Sequence, residues 1–451
     1  MRITLNFTTV FFAQSQYFCG IHRIECNFFG KFTVTDGEHK TPKRCNNYEG
    51  YYLLSARNIQ DGYIVLDNVD YVDQEEFLKI SKRCYPKRND ILISCSGSIG
   101  RVTAISDDNY YVMVRSVAMV RFIEIIPLFA MFALQSPYLQ SQMQKYSKQT
   151  AQANLFQAAI SNLLMPVPPL IEQSNIVKQL YELLERNKLI ENNIVEIGNL
   201  ISKIKSKILD LAIHGQLVPQ NQNDEPASVL LERIRAEKEE LIKQGKIKRD
   251  KNESIIYKGD DNSYYQTDRK TPIDTPYGIP DNWAWSNLKE LCNYGECESI
   301  SPDKISDSAW VLDLEDIEKN TGKVLQRITN AERKTASTKH AFSKNMILYS
   351  KLRPYLNKVA LADSDGYCTS EILPLNFSTI IHPGYAQLFL MSPFFVKYAN
   401  HCSYGLKMPR LGTHDGQIAL FAVPPYQEQL KIVDMVEQIL SRASIIEDSL
   451  D

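Results

Sequence analysis

The sequence of 451 residues lacks most of what would mark a metalloprotein, a nucleotide hydrolase or a membrane protein. Its nine cysteines (19, 26, 45, 84, 95, 292, 297, 368 and 402) are odd in number and form no CxxC pair. The one close pair, Cys292 and Cys297, has no second pair or histidine at metal spacing, which excludes a zinc ribbon and a disulfide framework. Reduced thiols and a cytoplasmic location are expected. Seven histidines make no HExxH, and there is no GxxxxGK followed by Ser or Thr, so no metal site and no P-loop are expected. The most apolar window, residues 122–134, contains Glu124 and Pro127 and is too short to span a bilayer, so no membrane role is expected. The opening from Leu5 to Ala13 is interrupted by Asn6, Thr8 and Thr9 and reads as a strand rather than a secretory signal. Charge of one sign is also missing: 51 Lys and Arg stand against 53 Asp and Glu, a net of −2. Any nucleic-acid binding must therefore come from local patches.

Catalytic patterns are absent too. An adenine methyltransferase needs an Asp, Asn or Ser before Pro-Pro-aromatic to hold the target amino group. Here Val423 precedes Pro424-Pro425-Tyr426, Val167 precedes Pro168-Pro169, and no GxG cofactor loop stands upstream. Pro302-Asp303 with Glu332-Arg333-Lys334 imitates a nuclease metal site, but Glu332 lies in a polar segment rather than on an apolar strand. No catalytic residue is expected.

What the chain does have is a copy of itself. Residues of the first half recur in the second 256 positions later: Ile91-Leu92 and Ser94 answer Ile347-Leu348 and Ser350, and Pro127 answers Pro383. Ser136-Pro137-Tyr138 answers Ser392-Pro393-Phe394. Val167-Pro168-Pro169 with Glu172-Gln173 answers Val423-Pro424-Pro425 with Glu428-Gln429. Upstream the match needs gaps, since Leu54 and Asn58-Ile59 fit Leu312 and Asp316-Ile317 at 258. Each copy reads as short strands broken by turn residues, then a helix, the Pro-Pro stop and a long helix.

Both long helices carry an apolar seam spaced four and three residues apart, narrower than the stripe of a helix on a globular core, which predicts pairing with another helix. The seam begins Ile176, Leu180, Leu183, Asn187, Ile190 and Ile194 and continues through Ile197, Ile201, Ile204 and Ile208 to Leu211. In the second copy it is Ile432, Val436, Ile439, Ala443, Ile446 and Leu450. Asn187 is its polar member. With six positions against eleven, part of the first helix must find another partner or stay exposed. Between the copies the composition turns polar around one charged helix with Leu230, Leu231, Ile234, Leu241 and Ile242 on its apolar side and a run of charge over 246–251.

Charge gathers locally. Residues 61–76 hold six acids and no base, whereas residues 79–121 hold eight bases against three acids, and residues 323–358 hold nine bases against Glu332 alone. Two locally basic, aromatic-containing surfaces fit nucleic acid, where cations neutralise phosphates and a few Arg, Asn, Gln or Tyr side chains read base edges.

Taken with the stretches 208–220 (ILDLAIHGQLVPQ) and 224–238 (DEPASVLLERIRAEK) and the opening Ile279-Pro280 with Trp283 and Trp285, these features resemble the specificity subunits of type I restriction-modification systems. Asp90 to Ser94 with Ser96 to Arg101, and Thr150 to Leu155, are similar to the signatures of target recognition domains in that family. The resemblance implies an α+β fold: two similar α/β target recognition domains joined by long conserved helices that form an antiparallel coiled coil. It divides the chain into a first recognition domain (1–168), a central helix (169–215), a linker with one charged helix (216–282), a second recognition domain (283–424) and a C-terminal helix (425–451). A paired helix of about 25 residues at about 1.5 Å each spans roughly 37 Å, close to the roughly 34 Å of one DNA turn.

The resemblance further implies a bipartite double-stranded DNA target, one half for each domain, and docking of modification (methyltransferase) subunits on the helices. No cofactor is expected on this chain; S-adenosylmethionine would sit on the modification subunits, and ATP and magnesium on a restriction subunit where one is present. Carried onto matching positions, the DNA-binding candidates of the first domain are Lys40, Lys43, Arg44, Arg57, Ser96, Ser98, Arg101, Arg115, Lys148, Gln152 and Asn154. Those of the second are Lys339, Lys351, Arg353, Tyr355, Lys358, Ser403, Tyr404, Lys407 and Arg410. The first copy departs from the family in lacking the Trp-x-Trp opening, having Ile21-His22-Arg23-Ile24 instead. The alternatives are a methyltransferase or nuclease acting alone, and a coiled-coil scaffold that does not touch DNA.

Overall fold

The computed structural model describes residues 21–23, 33–46, 50–147, 154–245, 255–267 and 272–450. The chain forms two units, Met1–Asn192 and Asn193–Asp451. Its elements are mixed strands and helices, an α+β fold. The opening apolar stretch from Leu5 to Ala13 and the charged run 246–251 lie outside the described residues.

In the first unit, strand Ile91–Ser94 pairs with Val102–Ala104 on one side and Val117–Arg121 on the other, all antiparallel, and Thr33–Asp36 closes the sheet. Successive side chains of a strand point to opposite faces, and these strands bury both. Ile91, Ile93, Ala118 and Val120 face one core, against helix α1 (Pro127–Gln135). Leu92, Val117 and Met119 face a second, with Tyr111 and Met113 from strand Tyr110–Met113, which runs parallel to Tyr51–Leu54. The window 122–134 is therefore apolar because α1 is buried, with Pro127 in its first turn, where a missing N–H costs nothing.

The second unit repeats this plan. Strand Ile347–Ser350 lies between Val359–Leu361 and Ile372–Leu375, with Ile347 and Tyr349 in one core and Leu348 in another. Strands Val311–Leu312 and Gly366–Thr369 make the corresponding parallel pair. Helices follow at the same spacing: α1 and α2 (Pro137–Ser147) in the first copy answer Pro383–Met391 and Pro393–His401 in the second.

The repeated glutamines explain the Pro-Pro-x-x-Glu-Gln spacing. Gln173 Oε1 accepts the Ile126 N–H at 2.9 Å, just before α1, while its Nε2 donates to the Pro168 carbonyl at 2.8 Å. Gln429 accepts from the His382 N–H at 2.7 Å and donates to the carbonyls of Pro424 at 3.0 Å and Ile380 at 3.1 Å. Each buried amide satisfies backbone groups at a helix start and at the Pro-Pro turn, which water cannot reach.

Strand Ile21–Arg23 pairs antiparallel with Leu164–Pro166, in the place where Ala284–Asn287 pairs with Leu420–Val423. The first copy thus has the opening strand without the tryptophans. Described residues of 216–282, expected as a linker with one charged helix, contribute to the core of the second unit. Ala227, Leu230, Leu231 and Ile234 of helix Ala227–Lys243 and Ile256 of a hairpin pack with Trp283, Trp285 and Leu288. Arg235 joins Glu290 at 2.6 Å. The apolar side of that helix had a packing partner more than 50 residues away, beyond the reach of a local pattern.

The long helix runs Leu170–Ile213, and the C-terminal helix Tyr426–Asp448 has about half its length. In the second unit the two are antiparallel. Lys205 meets Glu447 at 2.5 Å near the end of the C-terminal helix, whereas Gln220 and Asp224, past the end of the long helix, meet Glu428 and Lys431 near its start. Ile208, Leu209, Ala212 and Ile213 share a core with Ile432, Val433 and Val436. Of the seam, Leu180, Ile201, Ile208, Ile432, Val436 and Ala443 are buried, Ile176 and Ile439 partly so. Asn187 is half-buried and bonds Glu191 on its own helix at 3.0 Å. Leu183, Ile190, Ile194, Ile197, Ile204 and Ile446 are exposed, Ile190 by 49%. Leu211 and Leu450 are half-buried.

Candidate nucleic-acid interface

In the first unit, five separate segments meet at the turn around Ser116. Its carbonyl accepts the Cys95 N–H at 2.8 Å and its hydroxyl accepts the Ala56 N–H at 3.0 Å. Next to it, Arg115 N–H donates to the Glu38 carbonyl at 3.1 Å, and Lys40 N–H donates to the Glu38 carboxylate at 2.9 Å. Leu155 N–H closes on the Cys95 carbonyl at 2.9 Å, and Ser96 bridges Asn154. The structure therefore gathers Lys40, Arg57, Ser96, Ser98, Arg101, Arg115 and Asn154 along one rim. The loop 96–101 is shaped by Ser94, whose hydroxyl donates to the Ser98 carbonyl and accepts the Arg101 N–H at 2.9 Å. Ser98 and Arg115 are exposed, and among the described residues the Arg101 and Arg115 guanidinium groups carry no ion pair. Arg44 and Arg57 converge on the Asp70 carboxylate, each at 3.0 Å, which holds both in place and balances one of their two positive charges. Lys43 is exposed, its N–H on Glu76 at 3.4 Å. Lys148 and Gln152 lie outside the described residues. Burial pushes the Cys95 thiol, directly behind this rim, up to about 12, so it stays protonated.

The second unit builds the same rim 256 positions on. Leu352 bridges Arg410 as Ser96 bridges Asn154, and Leu411 N–H meets the Lys351 carbonyl at 3.0 Å as Leu155 meets Cys95. Lys351 N–H donates to the Glu371 carbonyl at 3.1 Å, so Glu371 holds the place of Ser116. Arg353 takes a left-handed backbone, φ 50°, where the first copy has Gly97 at φ 70°. That conformation costs a side-chain-bearing residue about 1 kcal/mol, and a 2.7 Å bond from Arg353 N–H to the Pro409 carbonyl holds it. Its side chain is exposed, as are Tyr355, Tyr404 and Lys407. Arg410 is half-buried and forks onto Glu371, Nη2 to Oε1 at 2.8 Å and Nε to Oε2 at 3.0 Å. This bond, from the Arg410 guanidinium, holds the Glu371 carboxyl below the usual range despite partial burial.

Three residues of the second set do other work. Lys339 is 5% exposed and its Nζ lies 3.0 Å from Asp313, inside a network where Arg333 joins Asp313 at 2.8 Å and Asp316 at 2.5 Å. Lys358 Nζ donates to the Leu314 carbonyl at 2.6 Å, and Ser403 Oγ to the Ala399 carbonyl at 2.6 Å. Thr329 caps the short helix Asn330–Arg333, and the Glu332 carboxylate accepts the Thr329 N–H at 2.9 Å in return. Sequence spacing missed Glu371 and Leu406, an apolar side chain standing wholly in solvent at the tip of the hairpin 403–411. A Gly after a Tyr in an otherwise basic turn, Tyr404-Gly405-Leu406-Lys407, was the available signal. Among the described residues no group of three or more metal-ligating side chains gathers, and no helix is long and apolar enough to cross a membrane.

Comparison with known proteins follows the same lines. Residues 32–199 match the family described as the type I restriction modification DNA specificity domain. The chain is 25% identical over 304 residues to the type I restriction enzyme EcoDI specificity subunit of Escherichia coli, covering 65% of this chain and 58% of that one. It is 31% identical over 258 residues to the EcoAI specificity subunit of the same organism, covering 55% of this chain and 41% of that one. It thus spans about half the length of the curated relatives it matches. Among solved structures, the HsdS subunit from Thermoanaerobacter tengcongensis aligns over 93% of this chain and 92% of its own, at 14% identity and a TM-score of 0.49. Residues 32–199 match the type I restriction modification DNA specificity domain, and over a wider span the chain resembles the specificity subunits of type I restriction enzymes.

Proposed function

We propose that this chain is the DNA-reading subunit of a type I modification complex, with one rim for each half of a bipartite duplex target. The observation that carries the reading is the pair of equivalent rims, Ser96 to Arg101 with Asn154 and Leu352 to Asn357 with Arg410, built by the same backbone bonds with different side chains. A scaffold indifferent to DNA has no need to keep the frame and vary the exposed residues. Arg101, Arg115, Arg353 and Lys407 are placed for phosphates or guanine edges, and Ser96, Ser98, Asn154, Tyr355 and Tyr404 for base edges. The chain's part is to bind and orient the duplex. Methyl transfer falls to modification subunits carrying S-adenosylmethionine and docked on the helices. ATP and magnesium belong to a restriction subunit where one joins, and the complex works in the cytoplasm. The sequence carries no GxxxxGK followed by Ser or Thr, no GxG cofactor loop and no polar residue before Pro-Pro-aromatic, which makes a methyltransferase or nuclease acting alone the weaker reading.

The test is methylome sequencing of cells expressing this chain with its modification subunit. A bipartite motif methylated in both halves is expected. Lys351→Ala with Arg353→Ala should relax or abolish recognition of one half only. Absence of any methylated split motif, or equal loss in both halves, would overturn the proposal.

A further inference from the structure

The hairpin 403–411 carries an apolar side chain at its tip, in full solvent. Leu406 is 106% exposed, the highest value among the large apolar side chains of the described residues. The tip that presents it is rigid. Gly405 turns the chain at φ 99°, and a side chain there would meet the Met408 carbonyl at 3.1 Å. Arg410 Nη1 donates to that same carbonyl at 3.1 Å while its fork is fixed on Glu371, and Arg353 N–H holds the next carbonyl, Pro409. Its chain neighbours Tyr404 and Lys407, and Arg353, bonded through its N–H to Pro409 of the same hairpin, are exposed and of types suited to a polyanion.

We propose that Leu406 reads the 5-methyl group of a thymine from the major groove. The inference rests on the DNA-reading function above and assigns one base contact within it. Two apolar roles are open to such a side chain: a base-edge contact in the major groove, about 12 Å wide and able to take a two-stranded ribbon, and a minor-groove wedge that unstacks a base step and bends the duplex. The exposed Tyr404 and Lys407 beside it, suited to base edges and phosphates, favour the first. The thymine methyl is the apolar group on the major-groove edge of a base pair. In the sequence, 256 positions earlier, stand Thr150 and Gln152 in place of Leu406 and Met408.

The complex of the full chain with its modification subunit can be titrated with duplexes in which each thymine of the methylated motif is replaced in turn by deoxyuridine, which pairs identically and lacks the methyl. One replacement should weaken wild-type binding about fourfold, the worth of one buried methyl, and leave Leu406→Ala unaffected. Folding is not at stake, because the side chain touches nothing. If wild type and Leu406→Ala respond alike to every replacement, or if the variant changes DNA bending without any deoxyuridine dependence, the assignment is overturned. If wild type shows no sequence-specific binding at all, the DNA-reading function itself fails, a separate outcome.

Discussion

Glu371 shows how one acidic residue can serve a cationic surface. Its fork with Arg410 fixes a guanidinium that would otherwise sample many rotamers, and the same Arg410 braces the hairpin tip through Met408. Glu371→Gln should keep the fold but relax base choice at one position of one half-site by about tenfold, the effect of losing a charge-assisted pair of about 1.4 kcal/mol, measured by competition binding. The pH sign follows from the depressed carboxyl. Its stabilising contribution is fully present above the ordinary glutamate value of about 4.3 and is lost as pH falls through the lower folded value. Urea unfolding of wild type and Glu371→Gln should therefore differ at neutral pH and converge in acid. Convergence already at pH 6 would remove the fork as the cause. Residues such as Glu371 and Lys339 were illegible in the sequence for one reason. A lysine in a basic run looks like every other, and only the fold brings Asp313, 26 residues earlier, to Lys339 and takes it out of solvent.

At the scale of elements, the internal copy was readable because each shared position has a local duty. The Pro-Pro turn and the glutamine four residues beyond it belong to one hydrogen-bonded clamp, so their spacing survives where loop sequence does not. Gln429→Leu should strand the His382 N–H and the Ile380 and Pro424 carbonyls at about 1–3 kcal/mol for each buried group left without a partner. The exposed Glu172→Gln should shift stability by less than about 0.5 kcal/mol. Urea midpoints of the two variants make the comparison, and equal midpoints would refute the clamp. The strand Ile21–Arg23 escaped notice because its pairing with Leu164–Pro166 is a backbone matter that needs no tryptophan. Helix Ala227–Lys243 showed its apolar side plainly, but not that Trp283 and Leu288 would cover it.

For the molecule as a whole, the two long helices differ twofold in length, and the surplus leaves Leu183, Ile190, Ile194 and Ile197 facing water. The heptad spacing was legible; how many of its positions one chain can cover was not, since that depends on a partner. Ile190→Lys should leave the unfolding of the isolated chain within about 0.5 kcal/mol of wild type yet weaken assembly with the modification subunit, read by sedimentation. Ile208→Ala, in the paired part, should cost about 2–5 kcal/mol. Equal effects of the two on stability would mean that the exposed seam is covered within the chain.

The left-handed backbone at Arg353 bears on how such a protein can be improved. Glycine occupies the same place in the first copy, so Arg353→Gly would relieve the frame while deleting an exposed guanidinium that the DNA-reading proposal uses. A library sorted for heat resistance alone would enrich that change and drift toward a sturdier chain that reads less. Sorting for both properties together is the only route that keeps the arginine, and its survival under such selection would reveal how much the cell gains from a strained residue.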